Sequence, residues 1–345
     1  MTGIAVHGSA AEPAEAFAGS RSALDALAEL RLAGLGAGRA PVPTGFEPLD
    51  EVLGGGLRPS DLTVIGGKPG LGKTIAALQW ARHMATAGAT CIFACYEHDE
   101  ATLLARMLTS DLAEAATAAR CHDEARLEGL RRALRAVAAG DVGLRQVLDW
   151  DPLLAEAEDR FAASAERLVL ARASGTRTDV AELRRAVEEH GSGQTVLFVD
   201  YLQKVPITPD PGTEAERVRK VADALKELGL GHRVAVVALT AADQSGLDAR
   251  RVRVQHFRGA SSLAYEADVA IVLNAKLDIV SRAHLAYDTT RTGEFRGCTV
   301  FTVEKNRHGA GDVDLEFRKD FANYRFDPSG RFVGERLWAQ GSLEE

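Results

Sequence analysis

Nothing in the sequence announces a membrane protein or one held together by disulfides. No basic stretch followed by an apolar segment opens the chain. No apolar run approaches the roughly 20 residues that a bilayer span needs. The expectation is a cytoplasmic protein with no membrane partner. Cysteine is scarce, and Cys91, Cys95, Cys121 and Cys298 form no C-x-x-C pair, which sets aside a thiolate metal site. Cys91 and Cys95 lie in an apolar run at even separation, so on a strand they share a face. Positive charge is in deficit: 41 Lys and Arg against 49 Asp and Glu give a net charge of −8. A protein of that balance does not coat itself in DNA, and any nucleic-acid contact must be local. No internal repeat is present.

What remains is the composition of an ordinary soluble protein, 46% hydrophobic and 26% charged over 345 residues, long enough to bury its own core. Residues 1 to about 20 are rich in Ala, Gly, Ser and Glu and read as a mobile tail. Leu24, Leu27, Leu30 and Leu32 then mark a short helix, which Gly34 to Pro43 break. The expected organisation is a tail and linker-type helix over 1–40, one domain over 41–330, and a C-terminal tail over 331–345. Within the domain, apolar runs at 62–65, 91–95, 196–199, 234–239 and 269–273 alternate with helical stretches at 73–86, 99–110 and 213–229. Runs that are apolar throughout belong to a parallel sheet covered on both faces, so the fold class is α/β. Segments 297–304, 313–317 and 322–326 read as antiparallel strands extending that sheet. Residues 111–190 read as several helices and carry no motif.

The strongest chemical signal is Gly67-Lys68-Pro69-Gly70-Leu71-Gly72-Lys73-Thr74, between an apolar strand and a helix. Glycines let such a loop wrap phosphates with its N–H groups, and the helix N-terminus adds partial positive charge. Gly67, Gly70, Gly72, Lys73 and Thr74 are therefore the expected ATP cradle. Lys73 reaches the β- and γ-phosphates and the Thr74 hydroxyl coordinates Mg²⁺. Val196-Leu197-Phe198-Val199 ends in Asp200, whose carboxylate falls at the same sheet edge and is the second expected Mg²⁺ residue. Glu97 follows the strand at 91–95 and suits activation of a water, with Asp99 and Glu100 as competitors. Arg250, Arg251, Arg253, His256 and Arg258 form a basic segment, read either as a nucleic-acid contact or as a solvated loop. Lys305-Asn306-Arg307 runs out of a strand, where its cations either pair with surface carboxylates or reach a neighbour's γ-phosphate.

Together these residues resemble the C-terminal motor domain of the replicative DnaB-type helicases, a RecA-like family of P-loop NTPases (superfamily 4). The resemblance covers roughly 41–327. It runs through Pro43-Thr44-Gly45-Phe46 with Leu49-Asp50, the phosphate loop, Tyr96-Glu97, Arg106 and Val199-Asp200-Tyr201-Leu202-Gln203. It continues with Val237-Ala238-Leu239-Thr240, Phe257-Arg258-Gly259-Ala260-Ser261, Glu266-Ala267-Asp268-Val269 and Lys305-Asn306-Arg307-His308-Gly309. It implies that Glu97 is the catalytic carboxylate and that Lys305 and Arg307 serve the nucleotide of an adjacent subunit in a hexamer. It further implies that the loops after Gln203 and around Arg250–Gly259 track single-stranded DNA, and that the helix at 22–33 docks on a neighbour. The function so implied is an ATP-driven motor on single-stranded DNA, a 5′–3′ helicase of replication or repair. Two departures stand out. Ala241 replaces a Gln that senses the γ-phosphate, with Gln244 as a substitute. About 40 residues precede the motor, too few for the family's N-terminal collar. The alternative is a RecA-like regulatory ATPase that assembles partners without unwinding.

Overall fold

The computed structural model describes residues 22–24, 40–281 and 291–338, except for the side chains of residues 260–262. The chain divides into two units, 1–37 and 38–345. Of the first only 22–24 are described, so the expected tail and the rest of the helix at 22–33 lie outside the described residues.

In the second unit six parallel strands form the centre of the sheet. They are β1 (Leu62–Gly67), β2 (Thr90–Cys95), β3 (Leu168–Arg172), β4 (Thr195–Asp200), β5 (Ala235–Ala241) and β6 (Val269–Ala275). Antiparallel strands β7 (Cys298–Asn306), β8 (Val313–Asp320) and β10 (Arg331–Phe332) extend it, and β9 (Arg325–Phe326) pairs with β8. The order is β10-β8-β7-β6-β1-β5-β4-β2-β3. This is the expected mostly parallel sheet with antiparallel C-terminal strands.

The central strands β1, β2 and β4 are buried at every residue because each feeds two cores. Val196 and Phe198 point into one, Leu197 and Val199 into the other, as the two-residue period of a strand requires. Cys91 and Cys95 share the first of these faces. Helices α1 (Glu47–Val52) and α2 (Lys73–Thr86) cover that side, and α7 (Val180–His190) and α8 (Glu214–His232) cover the other. Between β2 and β3 lie α3 (Glu100–Ala118), α4 (Glu124–Ala139), α5 (Leu144–Leu148) and α6 (Pro152–Ala165), which share a third, smaller core. The stretch 111–190 is thus not all helix: it contains β3. That strand is a half-buried edge strand of five residues whose apolar run, Leu168 to Ala171, is short and set between helical stretches.

An aromatic cluster locks the antiparallel strands onto the rest. Phe317 lies 4.8 Å from both Phe46 and Phe301, and Phe326 lies 5.3 Å from Phe301. Each such ring is fully buried, worth about 1.5–3 kcal/mol relative to exposure. The Pro43–Asp50 motif serves this cluster. Asp50 accepts hydrogen bonds from the N–H groups of Thr44 (2.8 Å) and Gly45 (3.0 Å), turning Phe46 inward. Gly45 sits at φ +82° against the His83 ring, where a Cβ would come within 2.5 Å.

Candidate functional site

The parallel strands deliver their C-terminal ends to one edge of the sheet, and the loops after β1, β2, β4 and β5 meet there. Gly67 ends β1 and the loop closes at Gly72, which caps α2 in the left-handed region at φ +90°. A side chain is excluded at Gly72, since a Cβ would come within 2.6 Å of Phe321 and Phe326. The C-terminal strands therefore form part of the wall of the phosphate loop. Lys73 Nζ donates to the carbonyls of Gly67 (2.9 Å) and Lys68 (3.0 Å), which holds the ammonium inside the loop. Burial lowers its pKa, against the pull of Asp200 and Glu97.

The Thr74 hydroxyl donates to Asp200 Oδ2 at 2.7 Å, so the two residues expected to hold Mg²⁺ touch. Asp200 is 3% exposed. Burial pushes its carboxyl up to about 6; Glu97 adds to the rise, while Thr74, Lys73 and Arg106 oppose it. Two adjoining oxygen ligands, with phosphate oxygens to complete the shell, fit Mg²⁺, a hard ion that takes one or two carboxylates. Among the described residues no group of three or more His, Cys, Asp and Glu suits any other metal site.

Of the three carboxylates after β2, two have structural tasks. Asp99 caps α3 by accepting from Thr102 N, and Glu100 accepts from Arg172 N. The Glu97 side chain is exposed, acts electrostatically on both Lys73 and Asp200, and has no hydrogen bond or ion pair among the described residues. Beside α2 a pocket of ≈ 380 Å³ is lined by Gln79, His83, Arg106 and Tyr324 among others. The Arg106 guanidinium lies 5.4 Å from the Tyr324 ring centroid. Tyr324 belongs to the turn between Phe321 and Phe326, the two rings that pack against Gly72. No sequence motif pointed to Tyr324; the aromatic spacing of 321, 324 and 326 was the available signal.

Lys305 and Arg307 lie elsewhere. In register, Gly67 pairs with Leu273 whereas Lys305 pairs with Ala270, level with Val64. Three residues of strand, about 10 Å, separate Lys305 from the start of the phosphate loop, and Arg307 lies beyond the N-terminal end of β6. Lys305 Nζ donates to the carbonyls of Ala264 (2.8 Å) and Tyr265 (3.0 Å). Arg307 donates to Tyr265 O and pairs with Asp268 at 3.1 Å. These cations occupy the opposite edge of the sheet from Lys73 and Asp200.

The basic segment is divided. Arg251 is buried, 5% exposed, and paired with Asp314 at 2.5 Å. Arg253 pairs with Glu304 at 3.0 Å. Arg250 donates to the carbonyls of Asp278 and Val280. Arg258, 42% exposed, faces Glu214 at 3.4 Å, and Gly259 follows at φ +78° with its Cα against Val218. Arg258 borders a second cavity, ≈ 500 Å³, that also touches Thr176, Lys204 and Arg217. Ala241 ends β5 opposite Gly67, while the Gln244 amide is taken up by Asp248 on its own helix. No described helix is long and apolar enough to cross a membrane.

Comparison with known proteins matches residues 41–326 to the family model of the DnaB-like helicase C-terminal domain. The replicative DNA helicase DnaB of Buchnera aphidicola subsp. Baizongia pistaciae is 22% identical over 291 residues, 83% of this chain. The chain spans 55% of that relative's length. The DNA repair protein RadA of Mycobacterium tuberculosis is 42% identical, but over 53 residues, 15% of this chain and 11% of RadA. Among solved structures, a DnaB-like replicative helicase superposes with a TM-score of 0.63 at 18% identity, covering 88% of this chain and 65% of that one.

Proposed function

As this chain belongs to the DnaB-like helicase C-terminal domain family, we propose that it is an ATP-hydrolysing motor that acts as an oligomer, a hexamer by family resemblance, on single-stranded DNA. One observation carries the reading. The phosphate loop, Glu97 and Asp200 stand at one sheet edge, and the cations Lys305 and Arg307 stand at the other. No single copy brings both sets to one nucleotide, so Lys305 and Arg307 can serve only a nucleotide bound by a second copy.

In this reading the loop N–H groups of Gly67, Gly70 and Gly72 and the Lys73 ammonium bind the triphosphate. Thr74 and Asp200 would hold Mg²⁺, which would supply positive charge to the triphosphate. Glu97, with no hydrogen-bond or ion-pair partner among the described residues, orients the attacking water and takes its proton. Lys305 and Arg307 of the adjacent copy stabilise the charge that builds on the leaving phosphates. Arg106 and Tyr324 offer flat faces to the base. At the DNA, Arg258 and Gly259 make the contact, with the loop after Gln203 beside them. Arg250, Arg251 and Arg253 hold that loop in shape rather than meet phosphate.

ATPase rates with and without single-stranded DNA, beside strand separation on a forked duplex, test the proposal. Hydrolysis stimulated by DNA with 5′–3′ unwinding is expected. Absence of hydrolysis at every protein concentration would overturn it. A second reading, a regulatory ATPase that assembles partners without unwinding, draws on Ala241 and on the engagement of Gln244 by Asp248. It predicts stimulated hydrolysis with the fork left intact.

A further inference from the structure

Two buried carboxylates stand at the edge that carries Arg307: Asp61, paired with His308 at 2.7 Å, and Asp268, which holds the arginine itself. Asp268, 3% exposed in its side chain, directly precedes β6. Its Oδ2 accepts from Leu62 N at 2.7 Å and from Lys226 Nζ at 2.5 Å. Its Oδ1 faces Arg307 Nη1 at 3.1 Å, and its backbone carbonyl accepts from Arg307 N at 3.0 Å. Arg307 Nη2 is fixed in turn by Tyr265 O at 3.2 Å. One edge of the guanidinium is thereby clamped to the sheet, yet the side chain stays 51% exposed. An exposed arginine held this way differs from a surface ion pair, because its acceptor is buried and tied to two other elements. Lys226 comes from α8 and Leu62 from β1, so neither the carboxylate nor the arginine can swing freely.

We propose that Asp268 is the positioning residue of Arg307. It touches no nucleotide itself. It sets the arginine in advance at the angle from which the free part of its donor fork meets the phosphates bound by the next copy. Preorganised donors stabilise developing charge without reorganising at the moment of reaction, and a long side chain left loose forfeits that advantage. This inference rests on Arg307 acting in trans.

The test is a double-mutant cycle on the full chain with kcat and KM for ATP measured for Arg307→Ala, Asp268→Asn and the pair. Arg307→Ala is expected to lower kcat about 10³-fold. Asp268→Asn should lower it about 10- to 100-fold, with KM within about twofold, and should add nothing on the Arg307→Ala background. Mixing provides the second readout. Asp268→Asn copies combined with Lys73→Ala copies should regain activity, because the latter supply an intact, correctly set arginine. A defect of folding in the Asp268→Asn copy is not repaired by a neighbour. Should Asp268→Asn not fold, Asp268→Glu keeps the charge for Lys226, displaces the carboxylate, and goes through the same cycle. Wild-type kcat in the Asp268 variant, or a further loss of equal size in the double variant, overturns the positioning role. An unchanged kcat in Arg307→Ala strikes instead at the trans reading itself.

Discussion

The two edges of the sheet each hold a buried aspartate at a strand end, and the two are treated in opposite ways. Asp268 is matched by Lys226, Arg307 and a backbone N–H. Asp200 has the Thr74 hydroxyl, and burial pushes its carboxyl up to about 6. A saturated carboxylate orders its surroundings. An under-partnered one is poised to take a cation. The contrast teaches that edge position alone does not leave a carboxylate open to a cation; its pairing has to be incomplete as well.

The largest effect that breaks the comparison is Arg307→Ala, expected to cost about 10³-fold in kcat, roughly 4 kcal/mol. Nucleotide affinity should be nearly unchanged. A loss confined to KM would instead mean that the arginine binds the ground state and the transition state equally.

Next come the arginines of the basic segment. Arg251→Ala leaves Asp314 without its buried partner and should lower stability by about 2–4 kcal/mol, read by urea unfolding. Single-stranded DNA affinity of the folded fraction should not change. Unaltered stability would mean that the Arg251–Asp314 pair is not formed in solution.

Asp200→Asn sharpens the contrast between edges. Folded Asp200 titrates at about 6 against an ordinary 3.8, so the folded protein binds that proton more tightly than the unfolded chain does. Its stabilising contribution is full below the unfolded value and disappears as pH rises through about 6. A shift of about two units corresponds to about 3 kcal/mol. The nucleotide-free Asn variant should therefore be about 2–3 kcal/mol more stable than wild type near pH 8, and no more stable near pH 3. Mg²⁺ competes with the proton on Asp200, so the Mg²⁺ concentration needed for half-maximal hydrolysis by the wild type should rise as pH falls below about 6. A pH-independent difference between the two proteins would refute the desolvation account.

The smallest effect is Arg258→Ala. Its stability change should stay within about 0.5 kcal/mol, while the slope of log affinity for single-stranded DNA against log salt falls by about one. An unchanged slope would remove Arg258 from the DNA contact.

Much of this was readable in advance because the central strands are covered on both faces. Leu62–Gly67, Thr195–Asp200 and Val269–Ala275 had to be apolar along their length, and their ends had to carry what chemistry there is. The contact of Thr74 with Asp200 follows from that placement. Strand β3 was harder to read: its apolar run, Leu168 to Ala171, is four residues long and embedded in an Ala-, Arg- and Glu-rich helical stretch. The division of labour among the arginines was not readable. Arg251 and Arg258 are seven residues apart and chemically identical, and only a chain folded over 63 residues brings Asp314 to the first of them. Tyr324 escaped for the same reason, since its partner Arg106 lies on a helix more than two hundred residues earlier.

If a nucleotide is shared between copies as proposed, the opposed placement of Lys73 and Arg307 also sets how activity scales with assembly. Each protomer then contributes one half to each of two catalytic centres. A row of copies with free ends always leaves one nucleotide lacking its second half, whatever the row's length. Only circular closure makes every bound nucleotide productive, so specific activity should climb with protein concentration and level off once the circle is complete.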